Sequence, residues 1–333
     1  MNAQLLRDTI AALLAGDKGL LAMDESTPNC NKRFAQQGIP QTVEMRRNYR
    51  ELLITAPHLG EAISGAILYD ETIRQQTKEG VPFPEKLIEA GIIPGIKVDQ
   101  GAIDMAGFPG EKITEGLDGL RTRLEEYKKF GARFAKWRAV ITIGNDIPSQ
   151  GCIDANVHAL ARYAALCQEA GIVPIVEPEV LMDGDHTLQR CFDTTELVLK
   201  TLFNQFYTQR ISLEGMILKP NMVISGKGAL TQGSIDQVAK ATVDCFLQSV
   251  PAAVPGIAFL SGGQSPEDAS QHLNAMNKSY ASRLPWALTF SFSRAIQQPV
   301  LEIWKGQDVN IEKAQQELYN RAKANTAARR GVL

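Results

Sequence analysis

The chain has 333 residues, 44% of them hydrophobic and 22% charged, with a formal net charge of −2. That balance is ordinary for a globular protein, and it argues against a nucleic-acid or membrane-surface partner, because both need a basic excess. Five cysteines with no C-x-x-C pair argue against a disulfide framework or a zinc knuckle, and no stretch approaches the roughly 18 consecutive apolar residues of a membrane span.

Residues 1–8 are polar and lack the apolar core of a signal peptide, so a cytoplasmic location is expected, or the plastid stroma if the chain is a processed one. Short apolar runs then recur at 20–23, 65–69, 92–98, 134–140, 173–176, 215–218, 256–260 and 287–292. Each has the length of a buried strand, and unbroken apolar runs suit a parallel sheet covered on both faces. The gaps hold amphipathic helical patterns. Between 117 and 130, apolar Leu117, Leu120, Leu124, Tyr127 and Phe130 make one stripe, and 153–170, 194–207 and 235–246 are further candidates. Alternating strand and helix predicts right-handed βα units. Eight of them without a linker predict an α/β fold, a single (β/α)₈ TIM barrel filling one domain over 1–333. The alternative is an open doubly wound sheet with a second domain. Residues 311–333 begin as a charged helix and end in Arg329-Arg330-Gly331, which reads as a solvated C-terminal tail.

In a (β/α)₈ barrel the reactive groups sit where strands end. Here those ends are polar: Asp24, Asp70, Lys97 with Asp99, Lys136 with Arg138, Glu177 with Glu179, Lys219, Ser261-Gly262-Gly263, and Ser291 with Arg294. A lysine inside an apolar strand is costly to bury without a partner. Three of them with facing carboxylates read as a site. The structural alternatives are a helix cap for Asp70 and a merely supportive buried ion pair for Lys136 and Glu177.

A lysine crowded by cations in a dry pocket becomes a nucleophile, and its iminium with a ketone is an electron sink for cleaving the adjacent C–C bond. Glu177, Glu179 and Asp24 supply carboxylates for the proton transfers. The Ser261-Gly262-Gly263 turn, with Ser265-Pro266-Glu267 after it as a helix start, reads as an anion-binding loop beside Arg294. Four histidines without H-x-x-x-H spacing give no metal site.

These residues stand in motifs that closely resemble class I fructose-1,6-bisphosphate aldolases over about 19–325. The motifs are Leu-Ala-Met-Asp-Glu-Ser-Thr (21–27), Gly-Ile-Lys-Val-Asp (95–99), Ala-Lys-Trp-Arg (135–138), Ile-Val-Glu-Pro-Glu-Val (175–180), Leu-Lys-Pro-Asn-Met (218–222), Leu-Ser-Gly-Gly-Gln-Ser (260–265) and the stretch around Arg294. The resemblance implies reversible cleavage of fructose 1,6-bisphosphate to dihydroxyacetone phosphate and glyceraldehyde 3-phosphate, in a homotetramer without metal or other cofactor. Sedoheptulose 1,7-bisphosphate or a ketose monophosphate would be an alternative substrate, and a non-catalytic scaffold barrel is the rival of another class.

By the same resemblance, Lys219 would carry the Schiff base and Glu177 would be the main acid/base. Asp24, assisted by Lys136, would take the C4 hydroxyl proton, and Glu179 would charge-balance the lysines. Ser261, Gly262, Ser291 and Arg294 would hold the C1 phosphate, and Ser26, Arg33, Lys97 and Arg138 the distal one. Three departures bear on substrate preference: Pro28-Asn29 replace Gly-Ser, Ser293 replaces Gly, and the animal tail ending in Tyr is missing.

Overall fold

A computed structural model describes residues 3–333. Eight parallel strands close into a barrel in which each pairs with its neighbours in chain order. They are β1 (Gly19–Ala22), β2 (Ile63–Leu68), β3 (Ile93–Lys97), β4 (Phe134–Ile141), β5 (Val173–Val180), β6 (Ile217–Leu218), β7 (Gly256–Phe259) and β8 (Ala287–Phe292). The open doubly wound sheet is thereby excluded, since β1 pairs with both β2 and β8.

The expected runs and the observed strands differ at their ends. β5 continues past its apolar half through Glu177 and Glu179 to Val180, because β4 runs alongside over the same length. β6 is only Ile217–Leu218, since Leu213–Gly215 winds into a 3₁₀ turn. A two-stranded antiparallel hairpin, Gly101–Asp104 with Lys112–Glu115, follows β3 and was not expected, its residues being too polar and exposed to read as strands. Three of the four expected helices occur within longer ones, Gln150–Ala170, Leu188–Thr208 and Ile235–Ser249, and the fourth is Leu120–Lys129.

Two cores result from the strand period of two. Residues facing outward pack against the surrounding helices. Residues facing inward, among them Leu20, Ala22, Ile67, Phe134, Ile175, Ile217 and Ala258, fill the barrel. Gly95 makes room for this filling: a Cβ there would lie 2.2 Å from the Phe134 ring. The helix Ala3–Leu13 turns Leu6, Ile10 and Leu13, spaced by one turn, onto this inner cluster. It covers the end of the barrel where the strands begin, which leaves the other end open.

The terminal helix Ile311–Arg330 packs on Arg294–Trp304 and Pro266–Tyr280, and the tail is solvated only in part: Arg330, Val332 and Leu333 are exposed as expected, but Arg329 and Gly331 are not. Arg329 is part-buried and its guanidinium donates to the carbonyls of Lys18 and Leu14, just ahead of β1. Gly331 is left-handed (φ 73°) and packs against the Lys278 backbone, where a Cβ would approach to 2.8 Å. Arginine wins over solvation here because it gives the Leu14 carbonyl a donor and the Lys18 carbonyl, which also accepts from the Thr289 hydroxyl, a second one. The tail therefore lies at the closed end of the barrel. Deleting residues 329–333 is expected to destabilise the fold by about 1–3 kcal/mol, seen as a lower melting temperature. Turnover at the open end should stay within about threefold, under about 1 kcal/mol of barrier. A tenfold loss of turnover in protein that is still folded would refute that placement.

Candidate active site

The inward parity of each strand carries on past its apolar part into charge. Leu20 and Ala22 lead to Asp24, Phe134 to Lys136 and Arg138, Ile175 to Glu177 and Glu179, Ile217 to Lys219, and Thr289 to Ser291. The same alternation that fills the barrel with hydrocarbon thus gathers ionisable groups above it. Asp24, Ser26, Arg33, Lys97, Lys136, Arg138, Glu177, Glu179, Lys219, Ser261, Gly262, Ser291 and Arg294 all line one cavity of about 460 Å³ at the open end. Asp70 does not join them: it is the first residue of the short helix Asp70–Ile73 and binds Arg74 and the Tyr127 hydroxyl.

At the floor the charges interlock. Lys136 Nζ lies 2.7 Å from Asp24 Oδ2, 3.3 Å from Glu177 Oε2 and 3.9 Å from Asp99 Oδ2. Lys219 Nζ lies 3.3 Å from Glu177 Oε1, so Glu177 spans the two lysines. Asp24, Lys136, Glu177 and Lys219 are all buried. Burial alone would raise the Asp24 pKa, but Lys136, Lys219 and Lys97 outweigh it and hold the carboxyl at about 2. Burial alone would likewise drive the proton off Lys136, yet Asp24, Glu177 and Asp99 outweigh it and keep Lys136 firmly protonated. Lys136 is therefore a fixed cation.

Glu179 binds Arg138 Nε at 2.5 Å instead of balancing a lysine, because the two side chains leave adjacent strands close together. Lys97 is engaged by Asp99, at 2.6 Å from its Oδ1 and from its carbonyl.

Two parts of the cavity lining suit anions. After β7, Gly262 (φ 59°) and Gly263 (φ 95°) form a left-handed turn that only glycine adopts without strain. Ser265 caps the following helix by accepting from Asp268 N, with Pro266 in its first turn, so the helix N-terminus faces the turn. The buried Ser291 hydroxyl has no hydrogen-bond partner in the protein, as expected of a group that waits for a ligand. Arg294 is exposed beside this turn. Elsewhere in the lining, Ser26 is the N-cap residue of helix Thr27–Gln36, yet its side chain makes no cap bond.

The match to the class-I fructose-bisphosphate aldolase family model runs over residues 5–333. A probable fructose-bisphosphate aldolase class 1 of Xanthomonas campestris pv. campestris is 58% identical over 332 residues, covering 99% of both chains. The muscle-type fructose-bisphosphate aldolase of Lethenteron camtschaticum is 50% identical over 327 residues, 98% of this chain and 90% of its own. The fructose-bisphosphate aldolase of Plasmodium falciparum, solved in complex with TRAP and a small-molecule inhibitor, superposes with a TM-score of 0.96 at 45% identity, covering 99% of this chain and 95% of that one. The chain belongs to the class-I fructose-bisphosphate aldolase family. It is an enzyme of the lyase class, on the (β/α)₈ barrel of those aldolases.

Within this aldolase framework, two of the sequence departures have a local explanation. Pro28 sits in the first turn of helix Thr27–Gln36, where its missing N–H is no loss and its fixed φ is helical. Ser293 has φ −106°, outside the region that demands glycine, and its hydroxyl donates to Glu25 Oε1 at 2.7 Å.

Glu25 is itself a group that sequence reasoning missed. Its part-buried carboxylate accepts from Arg33 (2.5 Å), Arg50 (2.7 Å) and Gln297 (2.9 Å) as well, and so ties the loop after β1 to the loop after β8. Burial would raise its pKa, but Arg50 and Arg33 bring it below the usual value. Lys32 and Gln36 also line the cavity and were missed, and Asn29, singled out only as a departure from the family, lines it too. Their spacing with Arg33, one helical turn apart, was the available signal: helix Thr27–Gln36 buries Cys30 and Phe34 and presents this polar face to the mouth.

Proposed function

We propose that the chain cleaves fructose 1,6-bisphosphate reversibly to dihydroxyacetone phosphate and glyceraldehyde 3-phosphate through a Schiff base on Lys219. The observation that carries this reading is a buried strand-end lysine, 3.3 Å from Glu177, in one cavity with two sets of groups that suit phosphate. Two sets of anion-binding groups favour a bisphosphate over a monophosphate. The names of the relatives, all fructose-bisphosphate aldolases, support the same substrate.

In this reading Lys219 passes a proton to Glu177, and the free amine attacks the C2 carbonyl. Glu177 protonates the carbinolamine hydroxyl, which leaves as water to give the iminium. Asp24, held anionic by Lys136, takes the C4 hydroxyl proton as the C3–C4 bond breaks. The aldehyde departs, and the electron pair passes into the iminium to give an enamine. Protonation at C3 and hydrolysis release the second product and restore Lys219. Glu179 supports the site through Arg138. Ser261, Gly262, Ser291 and Arg294 bind the C1 phosphate, and Ser26, Arg33, Lys97 and Arg138 the distal one, with Lys32 alongside. Apart from the covalent intermediate no cofactor is used.

We also read the whole chain as one domain that works as a homotetramer in the cytoplasm. A relative from Arabidopsis thaliana named as cytosolic, fructose-bisphosphate aldolase 5, is 50% identical over 314 residues and supports the location.

The test is borohydride reduction of the protein with dihydroxyacetone phosphate in excess chelator, followed by peptide mass mapping. The adduct is expected on Lys219, with turnover unaffected by EDTA. An adduct on Lys97 or Lys136, or activity lost in EDTA and restored by zinc, would overturn the reading.

A further inference from the structure

The anion-binding turn after β7 has a second cation beside it. The segment after β6 runs outward from Lys219 and docks on the segment after β5, with Lys227 N bonded to the Met182 carbonyl at 2.8 Å and Gly228 N to that of Gly184 at 2.8 Å. This anchoring brings the Lys227 side chain across to the β7 turn. A side-chain carbon placed on Gly263 would lie 3.0 Å from Lys227 Nζ and 3.2 Å from Arg294 Nη2. The two cationic groups thus come from loops after different strands and converge on one glycine of the turn.

No carboxylate separates them. Among the described residues Arg294 has no ion-pair or hydrogen-bond partner. Lys227 has only Asp183, at 3.4 Å, with both side chains about half exposed or more (45% and 69%). Such an exposed pair is loose and screened by water. Two like charges held this close repel each other, and a dianion seated on the turn would convert that repulsion into attraction to both.

We propose that Lys227 is a further binding residue for the C1 phosphate, standing at the lip of the cavity opposite Arg294. The proposal rests on the reading that the β7 turn holds that phosphate. Arg294 offers a planar fork and Lys227 a compact ammonium on a flexible stem, so Lys227 can leave Asp183 and follow the phosphate as substrate enters. Its contribution is to ground-state binding and capture. It touches no reacting atom.

The test compares wild type, Lys227→Met, Asp183→Asn and Arg294→Ala with fructose 1,6-bisphosphate, fructose 1-phosphate and unphosphorylated fructose. Lys227→Met is expected to raise KM for both phosphorylated sugars about fivefold, with kcat within about twofold. Its KM should also depend less steeply on salt, and fructose should be unaffected. Arg294→Ala should lose on the order of 30-fold or more in kcat/KM on the phosphorylated sugars alone.

Asp183→Asn frees Lys227 and should leave KM unchanged or lower. A loss in Asp183→Asn equal to that in Lys227→Met would show that the lysine merely holds its own loop, and would overturn the proposal. An unchanged KM in Lys227→Met beside a clear loss in Arg294→Ala overturns it too, while sparing the phosphate site. If Arg294→Ala is also silent, the C1 phosphate lies elsewhere and both readings fall.

Discussion

Lys219→Arg and Lys219→Met are each expected to lower kcat for fructose 1,6-bisphosphate cleavage by at least about 10⁴-fold and to abolish borohydride trapping. The guanidinium keeps the charge opposite Glu177 but cannot form the imine, and the thioether keeps much of the shape without any nucleophile. Lys219 is 3% exposed, so arginine has to fit a buried space. The methionine variant guards against reading a packing defect as a chemical one. Near-ultraviolet circular dichroism and the melting temperature should show both variants folded. Catalysis within about tenfold of wild type in either would remove Lys219 from the mechanism.

Lys136→Met is expected to be the most damaging single change to stability at the site. Lys136 sits 2.7 Å from Asp24, 3.3 Å from Glu177 and 3.9 Å from Asp99, all buried. Stripping one cation from under three acids leaves uncompensated charge, and such losses run to about 3–5 kcal/mol. The acids can relieve this by taking up protons, so the Asp24 carboxyl should climb from about 2. Turnover should fall at least about 100-fold, because Asp24 then lacks the cation that keeps it anionic.

The same pairing makes stability depend on pH. The Asp24 pKa is lowered from 3.8 to about 2 in the folded chain. A depressed carboxyl stabilises the fold above its unfolded pKa, and the stabilisation is lost as pH falls through the folded value. The contribution, about 2 kcal/mol, is thus complete above about pH 5 and largely gone near pH 2. Urea midpoints between pH 2 and 6 measure it. The wild-type curve should rise with pH over this range, and Asp24→Asn should flatten it by about that amount. An identical slope in Asp24→Asn would mean that Asp24 is not held by the lysines.

Much of this protein was legible in its sequence because a strand has a period of two and a buried charge is costly. Apolar runs that end in Asp24, Lys136, Glu177 and Lys219 place those residues on the inner side of a barrel, and the motifs around them tie the chain to its family. Helix Thr27–Gln36 is just as legible: Asn29, Lys32, Arg33 and Gln36 repeat by the turn opposite Cys30 and Phe34. The hairpin after β3 was hidden for the opposite reason, since its residues are polar and bury little.

What the sequence by itself determined, then, is which residues face the mouth and which chemistry they carry. Which group meets which was decided by the tertiary structure alone. Glu179 meets Arg138 diagonally because the register of β4 and β5 sets Arg138 beside Glu177, two residues before Glu179. Glu25 meets Ser293, 268 residues away, because the closing of the barrel sets β1 against β8. Lys227 comes to the same glycine as Arg294 because two loops dock on each other, and Arg329 turns to the strand entrance because it can donate to two carbonyls there. Each of these pairings depends on strand register or loop path, and neither leaves a periodic trace in the residues that it joins.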